Sequence, residues 1–274
     1  MKVSLFFHNY YGGHEEWIRF FCEKMAVPFV LFYNVVEDSL YNLEGGEPAG
    51  DFPAGGASAA AIPPRGALAG GADPLLDRLR NAASGPGLQD IVLRRSPNQG
   101  KDIGGKLVLL DACLRLGMES DLFIFLHDKK SPYKVQNRQW QEKLFAIIDP
   151  SFAGKALDAF SKQKDLGILT GSGSIQDEYD YSRQSFASHN RSLLGRLQEE
   201  YGITPPRYHF AAGTMFWARS LPLMTFLSRH APLDIRRTLE TGNVLDEQQG
   251  TMTHSWERLL SWLIIAQGFD IKGF

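Results

Sequence analysis

The sequence predicts an α/β fold: a single domain, residues 1–274, with a mostly parallel sheet flanked by helices. Three observations lead to this prediction. The chain opens with a strand–helix–strand pattern, which is how a parallel sheet begins. Residues 122–126 (LFIFL) are all apolar, as is typical of a strand covered on both faces. Hydrophobic residues make up 43% of the 274-residue chain, enough for a sizeable core.

The elements follow from the spacing of apolar residues. A short apolar run at 3–7 predicts the first strand, helical spacing at 15–25 predicts a helix, and FVLFY at 29–33 predicts the second strand. Further helices are predicted at 74–82, 106–116, 136–148, 153–162, 185–201, 221–229 and 253–267, and further strands at 90–94, 121–127, 166–170 and 208–218.

Residues 44–73 interrupt this pattern and consist mainly of Gly, Ala and Pro. Such a composition buries little apolar surface, so we predict a flexible insertion without secondary structure. Two interpretations are open: a surface loop of no consequence, or a lid over a binding site.

Charge and cysteine content limit the function. The formal net charge is -2, and no basic arm argues for nucleic acid. The two cysteines, Cys22 and Cys113, form no metal-ligand or redox spacing, which favours a reducing compartment. The N-terminal apolar run is too short for a signal peptide, and no stretch approaches the ~20 apolar residues of a membrane span. The predicted location is the cytoplasm, with a peripheral contact at the inner membrane face left open.

Polar clusters follow several predicted strands. They are His8-Asn9, residues 98–105, residues 127–131 and residues 212–214. In open α/β sheets, ligands bind beyond the carboxyl ends of the strands. We therefore expect these clusters to converge on one site.

The segment SPNQGKDIGGK (96–106) has the composition of a tight turn that opens a helix. Its glycines permit close approach of a ligand, and a helix N-terminus favours phosphate. It is neither a Walker A loop nor GxGxxG, which removes the main support for an ATPase or a dinucleotide enzyme. Asp102 either accepts hydrogen bonds from a ribose or a base, or caps the helix.

The segment HDKKS (127–131) suits a diphosphate. Asp128 could hold a divalent cation while Lys129 and Lys130 supply positive charge. Alternatively, the two lysines replace the metal and neutralise the phosphates directly. A solvated charged loop is the third interpretation.

The segment AAGTMFWAR (211–219) combines a small, flexible stretch with aromatic residues. Rings beside a glycine make a platform for a sugar or a nucleobase, although an aromatic strand is more often plain core.

The segment HSWERLLSW (254–262) has an amphipathic helical pattern. Glu257 could act as a general base tuned by His254 or by Arg258, or could form an ordinary surface pair with Arg258. Asp246 and Glu247 compete for the role of base. No GxSxG, HExxH or Cys/His zinc spacing is found, so the corresponding hydrolases and zinc enzymes are unsupported.

Five segments occur in an order that resembles the rhamnan synthesis protein F family. They are FFHNYYGG (6–13), PNQGKDIGGKL (97–107), FLHDKKS (125–131) followed by Trp140, AGTMFWAR (212–219) and HSWERL (254–259). The family comprises glycosyltransferase-like proteins of bacterial polysaccharide and lipopolysaccharide biosynthesis. The resemblance implies a GT-A-like (Rossmann-like) fold and a rhamnosyltransferase-like hexosyltransferase. Its donor would be a nucleotide-diphosphate sugar such as dTDP-rhamnose, and its acceptor a growing glycan or lipid-linked glycan.

The resemblance also implies roles for individual residues. Nucleotide-sugar binding would involve His8, Asn98, Gly100, Asp102, His127, Asp128, Lys129, Lys130 and Ser131; sugar or acceptor binding would involve Gly213, Thr214 and Trp217; and catalysis would involve Glu257 and His254. Glu257 would deprotonate the acceptor hydroxyl. Asp128 is the candidate ligand for Mg²⁺ or Mn²⁺, but its segment lacks the Asp-x-Asp pattern of GT-A enzymes, so a metal-independent mechanism is equally open.

Two other functions fit the same residues. The chain could be a non-catalytic nucleotide-sugar or glycan-binding subunit of a polysaccharide assembly. It could also be a sugar-phosphate or nucleotidyl transferase that uses the same diphosphate pocket.

Overall fold

The computed structural model describes residues 1–37, 73–118, 120–128, 144–245 and 250–274. Apart from Asp73, the predicted insertion at 44–73 lies outside the described residues, as does most of the predicted helix at 136–148. None of the described helices has the length and apolar character needed to cross a bilayer.

A seven-stranded sheet forms the centre of the fold. The strands of the chain are β1 Val3–Asn9, β2 Phe29–Val36, β3 Leu88–Ser96, β4 Leu122–His127, β5 Leu166–Thr170, β6 Ile175–Asp177, β7 Tyr179–Asp180, β8 Ser185–Phe186, β9 His209–Ala211, β10 Phe216–Arg219 and β11 Asp270–Gly273. The order in the large sheet is β3-β2-β1-β4-β10-β5-β11. Its neighbours are parallel except where β10 pairs with β4 and with β5.

Helices cover the large sheet. They are α1 His14–Lys24, α2 Pro74–Ala82, α3 Lys101–Leu116, α4 Pro150–Lys162, α5 Arg191–Tyr201, α6 Ser220–Leu227, α7 Pro232–Arg237 and α8 Met252–Ile265, with short 3-10 turns at Ala146–Ile148 and Ser172–Ser174. Core residues of α3 and α8 share one apolar cluster with one face of the sheet, whereas those of α1, α2 and α4 share a second cluster with the other face. The predicted α/β class, with a mostly parallel sheet between helices, is confirmed.

The central strands are buried on both faces because successive side chains point to opposite sides. Phe123 and Phe125 of β4 belong to one cluster, and Leu122, Ile124 and Leu126 to the other. The apolar run at 122–126 therefore predicted its environment correctly.

Three predicted boundaries are wrong, each for a local reason. The predicted strand at 208–218 is two strands, β9 and β10, because Gly213 and Thr214 adopt the left-handed φ angles of 78° and 51°. The predicted helix at 185–201 begins only at Arg191, since the hydroxyl of Ser188 binds the backbone N–H of Asn190 in a local turn. The helix predicted to begin at 106 begins at Lys101. Strands β6, β7, β8 and β11 and helix α7 were not predicted.

Helix α3 packs closely against β1 at Gly105. A Cβ atom at Gly105 would lie 1.9 Å from Nδ1 of the buried His8. We expect Gly105→Ala to lower the free energy of unfolding by about 1–3 kcal/mol through overpacking. The control is Gly154→Ala in α4, where a Cβ meets nothing within 4 Å. That variant should gain about 0.5–1 kcal/mol from helix propensity. Urea unfolding of both variants measures the difference, and equal effects would contradict the close contact.

Candidate functional site

The carboxyl ends of β1 and β4 lie side by side where the strand order of the sheet reverses. His8 and His127 are register partners, and the Asp128 N–H donates to the His8 carbonyl at 3.1 Å. The reversal point of an open α/β sheet is where ligands bind. Because β10 runs antiparallel, the turn before it, residues 212–215, reaches the same edge.

Two adjoining cavities open at this edge. The large cavity, of about 370 Å³, is lined by His8, Tyr10, Tyr11, Asn98, Lys101, Asp102, His127, Asp128, Asn243 and Leu245. The small cavity, of about 210 Å³, is lined by Lys101, Asp102, Ile103, His127, Gly213, Thr214, Thr253, His254 and Glu257. Lys101, Asp102 and His127 line both, so these three residues mark the junction.

The first turn of α3 lies at the junction of the two cavities. Its N-cap, Gly100, has a left-handed φ of 74° and no side chain to cap the helix. The Gly100 N–H is used by the Glu240 carbonyl at 2.7 Å. A sixteen-residue helix thus points its N-terminal end, without a side-chain cap, at the cavities, and such an end favours an anion.

Gly104 and Gly105, the other glycines of this segment, allow close packing of protein atoms and do not open space for a ligand. A Cβ at Gly104 would lie 1.7 Å from the Gln99 carbonyl oxygen, and Gly105 faces His8 as described above. The expectation that these two glycines admit a ligand is therefore wrong, because protein atoms occupy the space.

Asp102 does not cap α3, so that interpretation is wrong. Its Oδ2 accepts hydrogen bonds from Lys106 Nζ at 2.7 Å and from the Thr214 hydroxyl. Burial is the largest single influence and would raise the pKa of Asp102. Lys106, His127 and the Thr214 hydroxyl together outweigh it and hold that pKa well below the usual range. Asp102 is therefore a fixed carboxylate that joins α3 to the turn before β10.

Asp128 joins the ends of the two central strands. Its Oδ1 accepts the backbone N–H of Tyr10 and its Oδ2 that of Tyr11, both at 2.7 Å. In the described part of the chain, no three His, Cys, Asp or Glu residues come together as a metal site would require. A divalent cation at Asp128 therefore stays a prediction, and the chemistry below assigns no step to a metal. Lys129, Lys130 and Ser131 lie outside the described residues.

Glu257 lies in the small cavity and is held from two sides. Its Oε1 accepts the Gly213 N–H at 2.7 Å, and its Oε2 accepts from Arg258 at 3.0 Å. Arg258 is only 9% exposed, pairs with the buried Glu178 at 2.9 Å and lies 4.7 Å from the centre of the Phe210 ring. The interpretation of Glu257 and Arg258 as a surface pair is therefore wrong. The competing acids Asp246 and Glu247 lie outside the described residues.

Trp217, predicted to face a sugar, lies instead in the core. It is fully buried, and its indole N–H donates to the Ile147 carbonyl at 2.8 Å. The neighbouring Gly213 and Thr214 do line the small cavity, as does His254. The reason is strand alternation: the side chains of Met215 and Trp217 both belong to the opposite face of the sheet, away from the cavity that Gly213 and Thr214 line.

The floor of the large cavity contains two buried polar residues. Burial lowers the pKa of His8 to about 4, although nearby Asp102 opposes this shift. Asn98 donates to Asn243 at 3.2 Å, while its buried Oδ1 accepts no hydrogen bond from the described residues. A buried, unpaired carbonyl oxygen costs roughly 1–3 kcal/mol, which a donor on a ligand would offset.

Besides cavity-lining residues such as Tyr10, Tyr11 and Lys101, two residues that hold the site together were missed from the sequence. Lys106 could have been found, because Asp102 and Lys106 stand four residues apart on one helix face. Glu178 has no such signal, since it lies eighty residues from its partner Arg258.

A family model described as rhamnan synthesis protein F matches residues 80–269. The chain belongs to the rhamnan synthesis protein F family. Membership associates it with rhamnan, and hence polysaccharide, synthesis. The match begins within α2, so β1 with His8 precedes it.

Two curated relatives are also similar to this rhamnan synthesis protein F family member. Both are named "Uncharacterized protein WxcX" and come from two strains of Xanthomonas campestris pv. campestris. Each is 28% identical over 178 residues, which is 64% of this chain and 24% of the relative. The chain thus matches about a quarter of the length of these relatives.

The low pKa of His8 predicts a pH dependence of stability. In the unfolded chain His8 binds a proton near pH 6.5, whereas in the folded chain it does so only near pH 4. Between these values the unfolded state holds more protons, so lowering the pH destabilises the fold, by up to about 3 kcal/mol from His8. We expect His8→Gln to flatten the fall in the free energy of unfolding between pH 6.5 and 4. The exposed His189→Gln serves as control, and identical pH slopes in the two variants would contradict the assignment.

Removing Arg258 should leave the buried carboxylate of Glu178 without a counter-ion and so destabilise the fold. Arg258→Met leaves Glu178 buried without its cation, so we expect the free energy of unfolding to fall by about 3–5 kcal/mol. Lys162→Met, which breaks an exposed pair with Asp158, should change it by less than about 1 kcal/mol. Chemical denaturation compares the two, and a small loss in Arg258→Met would mean that the pair does not hold the site.

Proposed function

We propose that the chain is a glycosyltransferase that moves a sugar, rhamnose or a related deoxysugar, from a nucleotide-diphosphate donor to a growing surface polysaccharide or lipopolysaccharide. One observation carries this proposal: the N-terminus of α3, without a side-chain cap, faces the junction between two cavities at the reversal point of the sheet. The family supports a role in polysaccharide synthesis.

The diphosphate would bind at the junction. There the partial positive charge of the α3 N-terminus and the ammonium of Lys101 would face the phosphate oxygens. Lys129 and Lys130, which directly follow the Asp128 that lines the large cavity, are predicted to add further charge. With the phosphates at the junction, the nucleoside and the sugar would extend into opposite cavities.

The nucleoside fits the large cavity. Its volume of about 370 Å³ lies within the range of small-molecule sites, and Tyr10 and Tyr11 supply aromatic surface. The unpaired Oδ1 of Asn98 would accept an N–H of the nucleobase. This contact gives the buried carbonyl the donor that the described residues do not supply.

The sugar and the acceptor hydroxyl fit the small cavity. Asp102 lines both cavities, and its Oδ1 accepts no hydrogen bond from a described residue, so it would bind a sugar hydroxyl. Glu257 would take the proton of the acceptor hydroxyl as the acceptor oxygen bonds to the anomeric carbon. The bond from that carbon to the phosphate oxygen breaks, and the nucleoside diphosphate leaves with the electron pair, stabilised by the charge at the junction.

The strand order supports a GT-A-like version of this fold. The sequence of strands β3-β2-β1-β4 is that of a doubly wound nucleotide-binding sheet, and β10 adds one antiparallel strand beside it. Work at the cytoplasmic face of the inner membrane on a lipid-linked glycan belongs to the same proposal.

A second function has one observation in its favour. Both carboxylate oxygens of Glu257 already accept hydrogen bonds, from Gly213 and from Arg258. Such an arrangement suits a side chain that fixes the turn at 212–215 in a nucleotide-sugar-binding subunit without turnover. The hydrolysis comparison below separates this subunit from an enzyme.

Binding is tested by thermal unfolding with dTDP, UDP and GDP sugars, each with and without Mg²⁺ or Mn²⁺. We expect one nucleotide class to raise the melting temperature, equivalent to about 2.7 kcal/mol at a hundredfold excess over Kd. A shift that needs no cation would favour protein charges at the diphosphate. If no nucleotide sugar produces a shift, the proposed function is wrong.

Catalysis is tested by hydrolysis of the bound donor. Glu257→Gln should lower the rate by roughly 10²–10⁴, as expected for loss of a general base. Glu199→Gln makes the same change at an exposed position in α5 and should leave the rate unaltered. Equal rates in wild type and Glu257→Gln would exclude Glu257 as the base, and binding without any hydrolysis would favour the subunit.

A further inference from the structure

Lys106 is a buried cation at the base of the site. Its side chain is fully buried, and its Nζ donates to Asp102 Oδ2 at 2.7 Å and to the Thr214 hydroxyl. Its third neighbour is Nδ1 of His127, at 3.3 Å. An ammonium group has three protons and no lone pair. Each of these three neighbours is an atom that can accept a hydrogen bond, and one of them is a ring nitrogen.

This contact decides which nitrogen of His127 carries the proton. Because Lys106 can only donate, the Nδ1 of His127 must accept and thus has no hydrogen. A proton on Nδ1 would point at the ammonium 3.3 Å away. Asp102 cannot supply an alternative acceptor for such a proton, since its Oδ2 is 3.6 Å from Nδ1, beyond hydrogen-bond distance. The assignment does not depend on the orientation of an amide, as it would at an Asn or Gln contact.

We propose that Lys106 is a positioning residue that fixes His127 as the neutral tautomer with its proton on Nε2. The ring then donates a hydrogen bond from Nε2 to a phosphate oxygen at the junction of the two cavities. This step rests on the proposed function, because it names the ligand atom that His127 would meet. The Nδ1 edge of the ring faces the buried Lys106, and His127 lines both cavities. A neutral donor of fixed geometry binds an oxygen anion while the ring itself gains and loses no proton.

The tautomer is tested by ¹⁵N–¹H NMR of histidine-labelled, unliganded protein at pH 7, which distinguishes the two neutral tautomers and the imidazolium. The chain has seven histidines, and the resonances absent from His127→Gln identify His127. We expect a proton on Nε2 alone. A proton on Nδ1, or on both nitrogens, would overturn the proposal.

Lys106→Met tests the role of Lys106 in this assignment. Without the ammonium, the Asp102 charge should draw a proton to Nδ1 of His127, giving the other tautomer or the imidazolium. An unchanged spectrum would show that Lys106 does not set the tautomer. Loss of the buried cation could prevent folding, in which case the wild-type spectrum and the two His127 variants below still decide.

The donor role is tested by calorimetric titration with dTDP, UDP and GDP. In His127→Gln the amide N–H2 lies near the position of Nε2, whereas in His127→Asn it lies near that of Nδ1. We expect His127→Gln to bind the preferred nucleotide within about threefold of wild type, and His127→Asn to bind it at least about tenfold more weakly. Equal losses in the two variants would contradict donation from Nε2.

The two proposals fail differently. If wild type binds none of the three nucleotides, the proposed function and the phosphate contact of His127 both fail. The NMR spectrum of the unliganded protein still tests whether Lys106 fixes the tautomer. If a nucleotide binds but the spectrum shows a proton on Nδ1, the tautomer assignment fails and the proposed function stands.

Discussion

The partly buried ion pair between Lys106 and Asp102 is the interaction on which the arrangement of the site depends. It joins three elements: α3, which carries both residues, the turn before β10 through Thr214, and the end of β4 through His127. Taking such charges out of water costs several kcal/mol each, and only close geometry with further hydrogen bonds repays that cost. The positive φ angle of Thr214 is tolerated in the same setting, since its hydroxyl both accepts from Lys106 and donates to Asp102.

The antiparallel direction of β10 brings Thr214 to this ion pair. If β10 ran parallel to β4, its beginning would lie at the opposite edge of the sheet, far from α3. Running antiparallel, it brings the turn at 212–215 to the edge where β1 and β4 end. The result is a site whose two cavities draw on the ends of β1 and β4, on the first turn of α3 and on helix α8.

Features set by local chemistry could be predicted from the sequence, and features set by distant contacts could not. The apolar run of β4 and the helix Pro74–Ala82 were predicted because burial and capping act within a few residues. The convergence of His8, Asp102 and His127 followed from strand ends alone. The burial of Trp217 and the pair between Glu178 and Arg258 depend on which elements meet in space. No short pattern in a single sequence indicates which distant elements will be in contact.

Among the described residues, the two cavities share only Lys101, Asp102 and His127, and this has a consequence for how such a protein changes over evolutionary time. Outside these three, no described residue lines both the large cavity and the small cavity. A substitution in the turn at 212–215 or in the first turns of α8 reshapes one chamber while the other keeps its walls. What enters each chamber can therefore diversify separately among related chains, and only the shared three residues are constrained by both.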